Sequence, residues 1–67
     1  MSTDIHPTAI VEDGAEIGTD VRIGAYAHVG SQAILGDHSI IYPKAMVTGR
    51  STLGQHVEVH PGAVIGG

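Results

Sequence analysis

No cysteine occurs in the 67 residues. That excludes a disulfide framework, a thiolate zinc site and a cysteine nucleophile together. Phenylalanine and tryptophan are also missing, and Tyr26 and Tyr42 are the only aromatic hydrophobes. A compact core of this size leans on large rings, so the interior must be built from Ile, Val, Leu and Ala, and a conventional globule is not expected. Basic residues are scarce. Three Lys plus Arg stand against seven Asp plus Glu, for a formal charge of −4. A phosphate-backbone binder needs clustered cations, and Arg22, Lys44 and Arg50 are isolated, so no nucleic-acid partner is expected. No apolar run approaches the ~18 residues of a membrane span, and no membrane insertion is expected. The opening Met1-Ser2-Thr3-Asp4 is polar, without a basic stretch followed by an apolar one, which makes the cytoplasm the expected compartment.

What is present is a period of six. Ile5, Val11, Ile17, Ile23, Val29, Leu35, Ile41, Val47, Leu53, Val59 and Ile65 fall every sixth residue without a slip. Four residues after each of the first ten comes a small or short side chain: Ala9, Ala15, Val21, Ala27, Ala33, Ser39, Ala45, Ser51, Val57 and Ala63. Glycine often follows the aliphatic, at Gly18, Gly24, Gly30, Gly36, Gly54 and Gly66. Six matches neither the helical period near 3.6 nor the strand period of 2. It does match a solenoid of very short strands joined by corners. The small residue and the next aliphatic lie two apart, so both point inward, while Ile10 and Glu12 on either side of Val11 point outward. Pro61-Gly62 and Asp13-Gly14 suit the corners, since Pro presets φ and Gly tolerates φ > 0. Three corners close a triangle, giving about eighteen residues per coil, stacked at ~4.8 Å. The chain makes about three and a half coils over residues 5–67, after a short tail at 1–4. Tyr26, Gln32, His38, Lys44, Arg50 and His56 fill second-corner positions, where φ > 0 costs a side chain roughly 1 kcal/mol. Either that strain is offset by the ladders or some of these corners use another turn.

Stacking by eighteen sorts the outward residues into three faces. The first carries Ile10, His28, Met46 and Val64, and it holds the most contiguous apolar surface. A patch of that kind marks a contact with a partner. Asp20, His38 and His56 share one corner column, with neighbours about 5 Å apart. Asp and His are zinc ligands, but corner side chains splay outward, so the column is a weak candidate and no metal or other cofactor is expected. His6 reads as a turn residue before Pro7. The carboxylates form no catalytic pair: Glu12 and Glu16 lie on different faces and are expected to be solvated. The glycines recur once per hexad with no helix after them, so they form no phosphate loop.

The repeat resembles that of the bacterial hexapeptide-repeat acyltransferases, over Ile5 to Gly67. The opening Ile5-His6-Pro7-Thr8-Ala9-Ile10-Val11-Glu12 and the stretch Val47-Thr48-Gly49-Arg50-Ser51-Thr52-Leu53-Gly54 are similar to the acyl-ACP–UDP-N-acetylglucosamine O-acyltransferases of lipid A synthesis. The resemblance implies a left-handed parallel β-helix and a homotrimer, with Ile10, His28, Met46 and Val64 at the subunit interface. It also implies acyl carrier protein and UDP-N-acetylglucosamine as partners of the full enzyme. The family's catalytic histidine and nucleotide-contacting residues fall beyond Gly67, and no histidine here matches the catalytic motif. The expectation is therefore a truncated N-terminal segment, inactive alone, with no catalytic or substrate-binding residue of its own. The competing readings are a self-stacking structural β-helix and another hexapeptide-repeat acetyltransferase. An ice-binding helix is disfavoured because Thr3, Thr8, Thr19, Thr48 and Thr52 form no flat array.

Overall fold

The computed structural model describes residues 3–66. Within them run eleven two-residue strands: β1 (Asp4–Ile5), β2 (Ile10–Val11), β3 (Glu16–Ile17), β4 (Arg22–Ile23), β5 (His28–Val29), β6 (Ile34–Leu35), β7 (Ile40–Ile41), β8 (Met46–Val47), β9 (Thr52–Leu53), β10 (Glu58–Val59) and β11 (Val64–Ile65). They form three parallel sheets in the orders β1-β4-β7-β10, β2-β5-β8-β11 and β3-β6-β9. Every pairing joins residues eighteen apart, as in Ile5↔Ile23 and Ile23↔Ile41. The molecule is thus a left-handed parallel β-helix with about eighteen residues per coil, as the hexad implies. The ladder begins one residue before the repeat does, because Asp4 pairs with Arg22.

Each strand is too short to stand alone, and its hydrogen bonds run to the coils above and below. The N–H of Ile10 donates to Ala27 O at 2.8 Å, and the N–H of His28 to Ala45 O at 3.0 Å. The core is the stacked inward pairs. Val21, Ile23, Ala27, Val29, Ala33, Leu35, Ile41, Ala45 and Val47 are fully or almost fully buried. Burial fades toward both ends, where Val11 and Ile65 are half-buried and Ile5 is 42% exposed. The reason is that a coil is covered only by its neighbours. Ser39 and Ser51 are buried polar exceptions in the small-residue column. Ser39 Oγ donates to Gly54 O at 2.9 Å and accepts the Val57 N–H at 3.3 Å, while Ser51 Oγ donates to Thr48 O at 2.8 Å.

The corners divide into two kinds. Asp20, Tyr26, His38, Lys44 and His56 adopt φ between 58° and 66°, a left-handed conformation costly for a side chain. Several of these residues turn their N–H onto the preceding coil. His38 donates to Thr19 O (2.8 Å), Lys44 to Ala25 O (2.8 Å), His56 to Asp37 O (3.0 Å) and Tyr26 to Thr8 Oγ1 (3.1 Å). The strain is thereby offset by corner-to-corner hydrogen bonds. Gln32 and Arg50 use other turns. At Gln32 the Ala33 N–H still closes onto Gly30 O (3.2 Å) without positive φ. At Arg50 the positive φ moves back to Gly49 (65°), and the Ser51 N–H reaches Gly49 O (3.1 Å).

Candidate functional site

The outward face of the β2-β5-β8-β11 sheet carries Ile10, His28, Met46 and Val64 in exact cross-strand register. Ile10 and Val64 are 57% and 63% exposed, and Met46 37%, so this face presents apolar surface to solvent. Its polar centre is a pair that sequence reasoning missed. His28 Nε2 lies 2.8 Å from Glu12 Oε2, and Glu12 Oε1 accepts the Ser31 N–H at 3.1 Å. Glu12 is therefore not a merely solvated carboxylate. The ring hydrogen bond from His28, the Ser31 N–H and the charge on His28 hold its carboxyl below the usual carboxylate range, against a smaller upward effect of burial. The missed signal is diagonal. His28 sits directly over Ile10, but the outward residue two along the strand, Glu12, is a diagonal neighbour within reach of a long side chain. Tyr42 and Glu58 repeat the relation sixteen residues apart, with Tyr42 Oη 3.4 Å from Glu58 Oε1.

Asp20, His38 and His56 do form a column. The His38 and His56 rings stack at 5.1 Å with an 11° interplanar angle, and His38 Nδ1 lies 3.7 Å from Asp20 Oδ2. Parallel rings offer one another their faces and aim their in-plane nitrogen lone pairs past each other, so stacking works against shared coordination. Among the described residues no group of three His, Asp or Glu is placed to hold a metal ion. Asp37 accepts the Thr19 N–H of the preceding coil at 2.8 Å.

His6 does serve its own turn. Its Nδ1 accepts the Thr8 N–H at 3.1 Å and lies 2.8 Å from Thr8 Oγ1, which leaves the ring proton of neutral His6 on Nε2. His60 stacks on Tyr42, with centroids 5.0 Å apart and a 9° interplanar angle. Every histidine is thus engaged with a corner, a ring or a carboxylate, and among the described residues the one side-chain hydroxyl within hydrogen-bond distance of a histidine ring is that of Thr8, inside the His6 turn.

The bacterial transferase hexapeptide family, defined by six repeats, matches residues 32–67, more than half of the chain. The chain belongs to that hexapeptide-transferase family. Among curated members, an acyl-[acyl-carrier-protein]–UDP-N-acetylglucosamine O-acyltransferase of Brucella anthropi is 47% identical over 64 residues, covering 96% of this chain and 23% of that protein. The enzyme of the same name from Bartonella bacilliformis is 42% identical over 65 residues, covering 97% of this chain and 24% of that protein. The hexapeptide-transferase chain thus spans about a quarter of the length of these relatives. Among solved structures, the UDP-N-acetylglucosamine acyltransferase from Campylobacter jejuni superposes with a TM-score of 0.93 at 40% identity, over 94% of this chain and 25% of that one. The Arabidopsis UDP-N-acetylglucosamine acyltransferase gives 0.91 at 40% identity, over 92% and 22%. No helix among the described residues is long and apolar enough to cross a membrane.

Proposed function

We propose that this chain is the N-terminal β-helix segment of an acyltransferase that moves a hydroxyacyl chain from acyl carrier protein to UDP-N-acetylglucosamine in lipid A synthesis. The observation that carries the reading is the common name of the relatives, which are 39–47% identical over almost the whole chain. In such a transfer a general base takes the proton of the sugar 3-hydroxyl, and the oxygen attacks the acyl thioester. The carbonyl oxygen gathers charge that a preorganised donor must hold, and the carrier thiolate leaves. This chain supplies no base for that step, and it is inactive alone. Its own contribution is to continue the solenoid and to present the Ile10–His28–Met46–Val64 face to two further copies in a homotrimer. The exposed apolar ladder supports this assignment.

A graft tests the reading. The 64 matched residues of the Brucella anthropi relative are replaced by this chain, and acyl transfer from hydroxyacyl carrier protein to UDP-N-acetylglucosamine is followed. The expected chimera retains turnover within about tenfold of its parent, about 1.4 kcal/mol in barrier. The isolated 67-residue chain is expected to give no transfer. A chimera that assembles like its parent yet transfers nothing refutes the assigned function, and turnover by the isolated chain refutes its inactivity.

A further inference from the structure

Asp13 and Asp37 each take the first position of a corner, and the two corners are held differently. Glu12-Asp13-Gly14-Ala15 is a β-turn, closed by the Ala15 N–H on Glu12 O at 3.2 Å, with Gly14 at φ 97°. The peptide unit between Asp13 and Gly14 is the middle of that turn. Both residues are exposed, and among the described residues neither the Asp13 carbonyl nor the Gly14 N–H takes part in a hydrogen bond. The unit is therefore able to rotate without breaking a bond. At Asp37 the same unit is fixed from both sides. The His38 N–H donates to Thr19 O at 2.8 Å, and the Asp37 carbonyl accepts the His56 N–H at 3.0 Å. The Asp37 carboxylate is itself occupied by the Thr19 N–H at 2.8 Å.

A free, rotatable peptide unit after an aspartate has a chemical consequence. The backbone nitrogen of the next residue bonds to the side-chain Cγ, and its proton leaves with the carboxyl OH as water. The product is a five-membered succinimide. Water then opens the ring. Attack at Cγ restores aspartate, while attack at the main-chain carbonyl leaves isoaspartate, whose backbone runs through Cβ and Cγ. The sequence of steps consumes nothing but water and returns it. Glycine shields the attacking nitrogen least, and position 14 is held to glycine. Its φ is left-handed, and a Cβ there would lie 3.0 Å from Ser31 O. Asp4 and Asp20 are instead followed by β-branched Ile5 and Val21, which crowd the nitrogen. Isoaspartate at 13 would lengthen the corner directly after Glu12, whose carboxylate ties this coil to His28 and Ser31.

We propose that Asp13 is a site of spontaneous isoaspartate formation, selected by the unbonded peptide unit of its corner. The test separates the fold from the dipeptide. His38→Gly places a glycine after Asp37 at a position already left-handed (φ 62°), without freeing the peptide unit there. The variant is aged in heavy-oxygen water at neutral pH, folded and in denaturant. Trypsin then cuts after Arg22 and Lys44, which puts Asp13 and Asp37 on separate peptides. Each passage through the ring leaves one heavy oxygen, and electron-transfer fragmentation locates isoaspartate. In the folded chain Asp37 is expected to react about tenfold more slowly than Asp13, the factor for two backbone hydrogen bonds that must first break. In denaturant the two are expected to react at matching rates. Asp13→Glu, which would need a six-membered ring, is expected to silence the first peptide. Matching rates in the folded chain overturn the proposal, as does a folded chain in which Asp13 takes up no heavy oxygen. Isoaspartate persisting on the first peptide of the Asp13→Glu chain moves the chemistry to Asp4 or Asp20 and overturns it as well.

Discussion

Glu12 shows how much a single exposed side chain can be committed. Its two oxygens answer different coils: one meets the His28 ring, the other the Ser31 N–H. Both partners favour the carboxylate form, so its folded pKa lies below the unfolded value. The sign follows. The contribution to stability is fully present above the ordinary glutamate pKa, and it is lost as pH falls through the depressed folded value. A carbon-detected titration of the Glu12 carboxyl is expected to give a midpoint below the ordinary glutamate value. The His28→Gln chain is expected to shift that midpoint upward, because the largest contributor is the ring hydrogen bond. Glycines offer a second contrast. A Cβ on Gly36 would fall 2.4 Å from Gly54 O and 2.5 Å from Gly54 C, both backbone atoms of the next coil, whereas a Cβ on Gly54 meets nothing within 4 Å. Neither residue has positive φ. Gly36→Ala is expected to cost about 1–3 kcal/mol by forcing adjacent coils apart. Gly54→Ala should be neutral or stabilise by up to about 1 kcal/mol through the unfolded chain. Denaturant midpoints of the two variants, measured side by side, check the pair.

In the corners, conformation and composition disagree, and hydrogen bonds settle the outcome. Lys44 holds φ at 66° while its N–H reaches Ala25 O. Asn tolerates this region better than Lys, and a β-branched side chain tolerates it worse. Lys44→Asn is therefore expected to stabilise by roughly 0.5 kcal/mol and Lys44→Val to destabilise by about 1–2 kcal/mol. The same exchanges at Gln32, whose φ is not positive, should leave thermal stability unchanged by comparison. This division was only half legible in the sequence. The aliphatic hexad gave the strands, their parallel register and the inward columns, because a period repeated eleven times leaves one way to stack the coils. Which corner takes which turn was not legible, since Tyr26, Gln32, Lys44 and Arg50 occupy equivalent slots, and the choice depends on acceptors one coil away. The Glu12–His28 pair was hidden for a related reason. Reading columns at eighteen finds residues directly above one another and overlooks partners at sixteen, which only side-chain length brings together.

The molecule as a whole is a stack in which each coil is covered only by its neighbours, so its sides are nearly all surface. Two of the three outward faces mix charge, hydroxyl and apolar groups: Asp4, Arg22, Ile40 and Glu58 on one, Glu16, Ile34 and Thr52 on another. The third runs Ile10, His28, Met46 and Val64 unbroken from one end of the stack to the other. A face of that kind on a chain with net charge −4 has a reason to be apolar only if something covers it. Its one polar rung is also prepared for cover. His28 is already paired with Glu12, so burying the rung does not strand an unpartnered polar group. Three copies related by a threefold axis would each turn the same ladder toward that axis, one edge of it meeting the opposite edge of the next copy's ladder. Ile10→Arg combined with Met46→Arg places two cations per subunit on that ladder. Both positions are exposed, so the fold of a single chain should survive, with an unchanged far-ultraviolet spectrum. Native mass spectrometry is expected to show a trimer for the unmodified protein and a monomer for the double variant. Arg22→Gln, on another face, should leave the trimer intact. A double variant that stays trimeric would move the interface off this ladder and leave the Glu12–His28 pair as an ornament of a free surface.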